Sequence, residues 1–170
     1  MAAKGKYTYE YPRPAVTADC VIFGRDENGD LSVLLIERKG EPYKGCWAFP
    51  GGFLEMDETL EECASRELFE ETGIQLLHES GELKMLGCYS GVNRDPRGRV
   101  ITVAYYAVID KRDVWGGDDA KDARWFNLFL DMPPLAFDHD TILREAVRRL
   151  KEDNIFIHST TKHHVRCDSR

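Results

Sequence analysis

At 170 residues, with a formal net charge of −7 and a pI near 5.3, the chain has room for one compact domain with a sizeable core and lacks the basic excess that a nucleic-acid polyanion selects. No run approaches the ~20 consecutive apolar residues of a membrane span, and residues 1–20 hold no apolar stretch of the signal type. The five cysteines are odd in number, scattered and without a C-x-x-C pair, the usage of a reducing cytoplasm. The expectation is a cytoplasmic chain with neither nucleic acid nor membrane as its main partner.

In chain order, a polar arm covering residues 1–15, with Pro12 and Pro14, precedes a β-rich run at 16–23. A turn around Asn28 and Gly29 joins it to a second strand at 31–37, so the two form a hairpin. Residues 39–45 are a loop, and Trp47 to Pro50 lead into Gly51-Gly52. A helix is predicted from Thr59, where Thr59 and Glu62 make a capping box, to Gly73. Strands follow at 83–90 and 100–109 around a loop at 91–99, then a short strand at 123–128 after an acidic loop at 116–122. Residues 141–152 repeat Ile142, Leu143, Ala146, Val147 and Leu150 at helical spacing, with Asp138 or Asp140 as the N-cap. Strands flanked by two helices give an α+β fold, a sandwich spanning 16–152, with 153–170 as a tail.

The first helix carries the chemistry. At roughly 100° per residue, Leu60, Cys63 and Ala64 share one arc, and Glu67, Glu70 and Glu71 continue it a turn later. Three acids at i, i+3 and i+4 repel one another and are costly to desolvate unless a positive group lies between them. A hard divalent cation with oxygen ligands meets that need. A solvated acidic face would oppose the apolar arc; these acids extend it. Arg66 has Glu62 and Glu70 at i−4 and i+4, a pairing that orients the helix and leaves Glu67 and Glu71 unbalanced. Phe69 lies opposite the arc, placed for packing under another element.

Gly52, five residues, Glu58, seven residues, then Arg66-Glu67-Leu68, Glu70-Glu71 and Gly73-Ile74 resemble the Nudix box at every fixed position. The resemblance implies a Nudix-like α/β/α sandwich with a mixed β-sheet. It also implies a loop–helix–loop that binds Mg2+ or Mn2+ and hydrolysis of a nucleoside diphosphate linked to another group. It assigns the metal to Glu67, Glu70 and Glu71, joined by the Gly52 carbonyl, and makes Glu58 and Arg66 the supporting acid and base. Glu67, Glu70 and Arg66 are therefore the catalytic candidates. The acid that takes the proton of the attacking water stays open, with Glu67 first and Glu55, Asp138 and Asp140 behind it.

Segments 94–106, 123–126 and 133–140, with Glu37-Arg38-Lys39 and residues 47–52, resemble the ADP-ribose pyrophosphatase branch of that family, over roughly residues 18–150. Where that branch often carries a proline, this chain has Ser90-Gly91. The branch implies a small-molecule nucleotide partner, cleavage of ADP-ribose to AMP and ribose 5-phosphate, and room for a homodimer. Substrate-binding candidates are Arg38, Trp47, Arg94 and Arg97, with Arg99 further off and Phe49, Tyr89, Phe126 and Phe137 as other stacking surfaces. His139 sits among acids at a helix start, and His163, His164 and Cys167 have a faint metal character. Two other functions stand beside this one. The first is a Nudix pyrophosphatase that cleans nucleoside triphosphates. The second is a non-catalytic, ADP-ribose-sensing Nudix domain of a regulator; such regulators carry a further DNA-reading helical domain after the Nudix part, so the short stretch after the last helix counts against this expectation.

Overall fold

The fork in the central sheet decides where the site lies. In the computed structural model, which describes residues 7–77, 80–117, 120–130 and 132–153, the chain runs β1 (Ala15–Arg25), β2 (Leu31–Arg38), β3 (Trp47–Ala48), β4 (Gly51–Phe53), α1 (Leu60–Thr72), β5 (Lys84–Tyr89), β6 (Val100–Asp110), β7 (Ala120–Asn127) and α2 (His139–Glu152). β1 and β2 pair antiparallel only beside their turn, from Phe23↔Val33 to Arg25↔Leu31. Beyond it they diverge. β3 takes the inner edge of β2 through Ile36↔Ala48, and β4 takes β1 through Thr17↔Phe53 and Asp19↔Gly51. The segment from Trp47 to Phe53 is thus a wedge in the fork, held by Cys20 N–H donating to the Pro50 carbonyl at 2.8 Å. β6 runs parallel to β1 along its whole length, β5 antiparallel to β6, and β7 antiparallel along the outer edge of β2. The sheet is mixed, as expected.

Each face of the sheet has its own core, because strand side chains alternate between faces. Ala18, Cys20, Ile22, Leu34 and Ile36 meet Cys63, Ala64 and Leu68 of α1. Val21, Phe23, Val33 and Leu35 meet Ile142, Ala146 and Leu150 of α2. Both faces of β1 are covered, so its sequence is a continuous apolar run with little polar alternation. The architecture is the predicted α/β/α sandwich.

Local signals hold at α1. Thr59 accepts from Glu62 N–H at 3.2 Å, Glu62 accepts from Thr59 N–H at 2.7 Å, and Gly73 closes the helix at φ 74°, a left-handed value natural to glycine. Three expectations are corrected. β7 begins at Ala120, not at residue 123, because Lys121 and Asp122 lie on an edge strand, where polar residues face solvent and read as loop. α2 begins at His139, and Asp138 stands at its N-cap position without a side-chain capping bond, its carboxylate being committed to Arg94. Phe69 is 52% exposed, so it is not buried under another element among the described residues. Asp118, Asp119 and the tail with His163, His164 and Cys167 lie outside the described residues. Among the described residues no helix is long and apolar enough to cross a membrane.

Candidate active site

The wedge delivers Gly51 and Gly52 to the C-terminal half of α1. Gly51 N–H donates to Glu71 Oε2 at 2.9 Å. A Cβ on Gly52 would lie 2.3 Å from Glu67 Oε1, so only glycine permits this approach of backbone to carboxylate. Glu71 is buried and the Glu67 side chain is 16% exposed, whereas Glu70, on the flank of the arc, is 48% exposed. The sequence puts all three acids on one arc; the structure turns two of them inward and leaves Glu70 at the rim.

Arg66 is the positive group among these acids. Its Nη2 donates to Glu58 Oε1 at 2.6 Å and to the Phe53 carbonyl at 3.3 Å, its Nε to Glu58 Oε2 at 2.9 Å, and its Nη1 to Glu67 at 2.7 Å and Glu70 at 3.2 Å. Glu67 is therefore not left unbalanced, a correction to the pairing expected from helical spacing. The reason is tertiary: Glu58 and Phe53, both before the helix, hold one side of the guanidinium and turn the other toward Glu67. Arg66 hydrogen bonds keep the Glu58 carboxyl below the usual carboxylate range. Burial pushes Glu67 above its ordinary value, against the opposing pull of Arg66.

These residues fit a hard divalent cation. The carboxylates of Glu67 and Glu71 lie against the Gly51-Gly52 backbone and offer oxygen donors, while the nearby thiols of Cys20 and Cys63 are both pushed up, chiefly by burial, so they stay neutral and poor ligands. Among the described residues no group of three or more acid, imidazole or thiol side chains is placed to hold a metal ion, so Glu67, Glu70 and Glu71 do not come together as a three-carboxylate set. An open set of one or two carboxylates, completed by water and substrate phosphate, is what Mg2+ and its like take.

Beside the acids opens a cleft of about 720 Å³ lined by Arg38, Lys39, Glu55, Arg94, Arg97 and Phe137, among others. Arg94 is 5% exposed and bidentate to Asp138, at 2.7 and 3.0 Å. Arg97 is forked onto Asp95, at 2.7 and 3.0 Å, and lies 4.9 Å from the Phe53 ring centre and 5.5 Å from that of Phe137. Arg38 donates its Nε to the Pro42 carbonyl at 2.9 Å and sits 4.9 Å over Phe137, with no carboxylate salt bridge among the described residues. Burial, then the neighbouring Arg97, lower its pKa. Of the arginines that line the cleft, Arg38 is, among the described residues, the one without a carboxylate salt bridge. Phe137, which lines the cleft, and Tyr43 hold positive φ, 54° and 64°, and meet edge-on at 4.9 Å, a strained pair.

Other candidates go elsewhere. Trp47 packs edge-on against Phe126 at 4.6 Å, in the core on the α2 side, and does not line the cleft. Arg99 is bound to the Ser90 and Gly91 carbonyls. Asp140 caps the first turn of α2 and pairs with Arg144, facing solvent. Sequence reasoning missed Asp19, Thr17 and Phe53, all of which line the cleft. The available signal was an acid, Asp19, in the middle of a strand that is otherwise apolar.

Comparison with known proteins agrees with the fold and the box. Residues 13–150 match the profile of the NUDIX domain. The chain is 44% identical over 138 residues to an ADP-ribose pyrophosphatase of Methanocaldococcus jannaschii, covering 81% of this chain and 76% of that protein. It is 40% identical over 145 residues to the ADPR responsive transcriptional repressor NtrR of Acinetobacter baylyi, covering 83% of this chain but only 56% of the repressor. The solved NUDIX domain of Shewanella oneidensis NrtR, complexed with ADP ribose, superposes with a TM-score of 0.74 at 32% identity, covering 82% of this chain and 90% of that one. With the box, the sandwich and these relatives in agreement, the chain belongs to the Nudix family of pyrophosphohydrolases.

Proposed function

We propose that the protein hydrolyses ADP-ribose to AMP and ribose 5-phosphate with Mg2+ or Mn2+. The observation that carries this reading is a single cleft with two poles, the oxygen donors of Glu67, Glu71 and Gly52 on one side and Arg38 on the other. A pyrophosphate linking two sugars offers negative charge to both poles at once. The similarity to an ADP-ribose pyrophosphatase supports the same substrate. Glu67 and Glu71 with the Gly52 carbonyl would hold the cation, with Glu70 a ligand only on turning in from the rim, and when bound the ion supplies positive charge to phosphate oxygens and acidifies water.

The chain's own residues have separate tasks. Arg66 holds Glu67 and Glu70 in place and Glu58 holds Arg66. Arg38 pairs with a substrate phosphate, while Arg94 and Arg97, already neutralised by Asp138 and Asp95, shape the wall. Glu67 is the first choice for taking the water's proton, and Glu55, exposed at the cleft, is the second. The cysteine usage extends the reading to a reducing, cytoplasmic setting.

The test is a panel of ADP-ribose, other nucleotide sugars, dinucleoside polyphosphates and nucleoside triphosphates, with AMP and inorganic pyrophosphate read separately. The highest kcat/KM is expected for ADP-ribose; preference for a triphosphate with release of pyrophosphate overturns the substrate. The repressor relative motivates a second reading, ADP-ribose binding without hydrolysis. Calorimetric binding of ADP-ribose with no turnover in saturating Mg2+ or Mn2+ would favour it.

A further inference from the structure

On the α2 face of the sheet the cleft ends in a polar group outside the box. Thr102 of β6 donates its hydroxyl to Asp19 Oδ2 on β1 at 2.5 Å, which fixes one oxygen of that carboxylate. The other, Oδ1, faces Gly51 and His139. A Cβ on Gly51 would lie 2.6 Å from it, and His139 Nε2 lies 3.9 Å away. Asp19 and His139 are both buried, and both line the cleft.

The proton on His139 can be placed. Phe49 N–H donates to His139 Nδ1 at 3.0 Å, and a ring nitrogen that accepts carries no hydrogen, so the neutral ring is protonated at Nε2. Stacking on the Phe49 ring, at 4.7 Å and 14°, holds the imidazole in that orientation. A fixed N–H donor and a fixed carboxylate acceptor therefore face each other across 3.9 Å, too far to bond directly.

One oxygen at about 2.8 Å from each would bridge them, with an angle of about 90° at that oxygen. It must accept from Nε2–H and donate to Oδ1. A hydroxyl does both. A phosphate oxygen has no proton to give and is repelled by the carboxylate, and an exocyclic amine does not accept. Resting on the nucleotide-hydrolase reading above, we infer that Asp19 and His139 form a hydroxyl-recognition site that binds a sugar hydroxyl of the substrate and selects ribosyl over deoxyribosyl compounds. Asp19 is its specificity-determining residue, and Thr102 positions it.

The test compares kcat/KM for ADP-ribose with that for analogues each lacking one ribose hydroxyl, in the wild-type chain and in Asp19→Asn. In the variant the amide turns an N–H toward the cleft, and the donor–acceptor pair becomes two donors. One analogue should lose about thirtyfold with the wild type and less than about threefold with the variant. Equal treatment of all analogues by the wild type, as for a pair bridged only by water, overturns the inference, as does full discrimination kept by Asp19→Asn. If that variant fails to fold, Asp19→Ser carries the same comparison. If ADP-ribose is not cleaved and a triphosphate is, the substrate proposed above falls separately, and a ribonucleotide and deoxyribonucleotide pair decides this site.

Discussion

Arg66 does more for the site than its place in the box suggests, since one guanidinium gathers Glu58, Glu67 and Glu70 around itself. The fork that grips Glu58 through Nε and Nη2 leaves Nη1 to turn Glu67. A lysine has one ammonium and cannot hold both directions. Arg66→Lys is therefore expected to lower kcat/KM by about tenfold or more with little change in melting temperature, measured by steady-state assay and thermal denaturation; wild-type turnover would show that the orientation of Glu67 is set elsewhere. Among the acids, burial gives the order. Glu71→Gln and Glu67→Gln should each reduce turnover by at least about a hundredfold in saturating Mg2+, and Glu70→Gln, at the rim, by clearly less. An equal loss for all three would mean that Glu70 swings inward in the working enzyme.

Elements are tied to the site through their ends. The start of α2 is fixed by His139, whose Nδ1 satisfies the buried Phe49 N–H of the wedge and whose ring stacks on Phe49. Burial holds the imidazole below its ordinary value of 6.5, so the folded chain binds fewer protons than the unfolded one. Its contribution is fully present above that ordinary value and is lost as pH falls through the lowered one. Stability to urea should thus decline as pH is taken from 7.5 toward 5. His139→Phe should flatten that slope while costing about 1–3 kcal/mol at pH 7.5, because the Phe49 N–H loses its acceptor. An unchanged slope in the variant would assign the acid sensitivity to other groups. The same end of α2 explains one limit of sequence reading: Asp138 looks like an N-cap, and nothing local announces that Arg94, forty-four positions away, claims its carboxylate. β7 shows another limit, since Lys121 and Asp122 on an edge strand carry the composition of a loop.

At the scale of the molecule, the sandwich and the acid pole were legible because they rest on local spacing. The β-rich apolar runs of β1 and β2, the Thr59–Glu62 box and the run from Gly52 to Ile74 each lie within one or two elements. The other wall was legible only in part, since Arg38, Arg94, Arg97, Phe137 and His139 line it as named but Asp19 was missed. That wall is assembled by the fork, which brings Asp19, Thr102 and His139 together from three elements far apart in sequence, and which carries Trp47 away to Phe126. Charge, by contrast, is a whole-chain property and supports a prediction directly. The net charge is −7, and three of the four arginine and lysine side chains of α2 are paired along its own length: Arg144 with Asp140 at 2.9 Å, Arg148 with Glu145 and Glu152, and Arg149 with Glu152 at 3.9 Å. A face neutralised in this way releases few counterions from a duplex, and counterion release supplies most of non-specific DNA affinity. Fluorescence anisotropy with labelled duplex DNA at about 150 mM salt is therefore expected to give no binding below micromolar concentrations, where weak non-specific binders begin. Sub-micromolar binding that depends on sequence, and that ADP-ribose releases, would instead place this chain functionally beside its repressor relative.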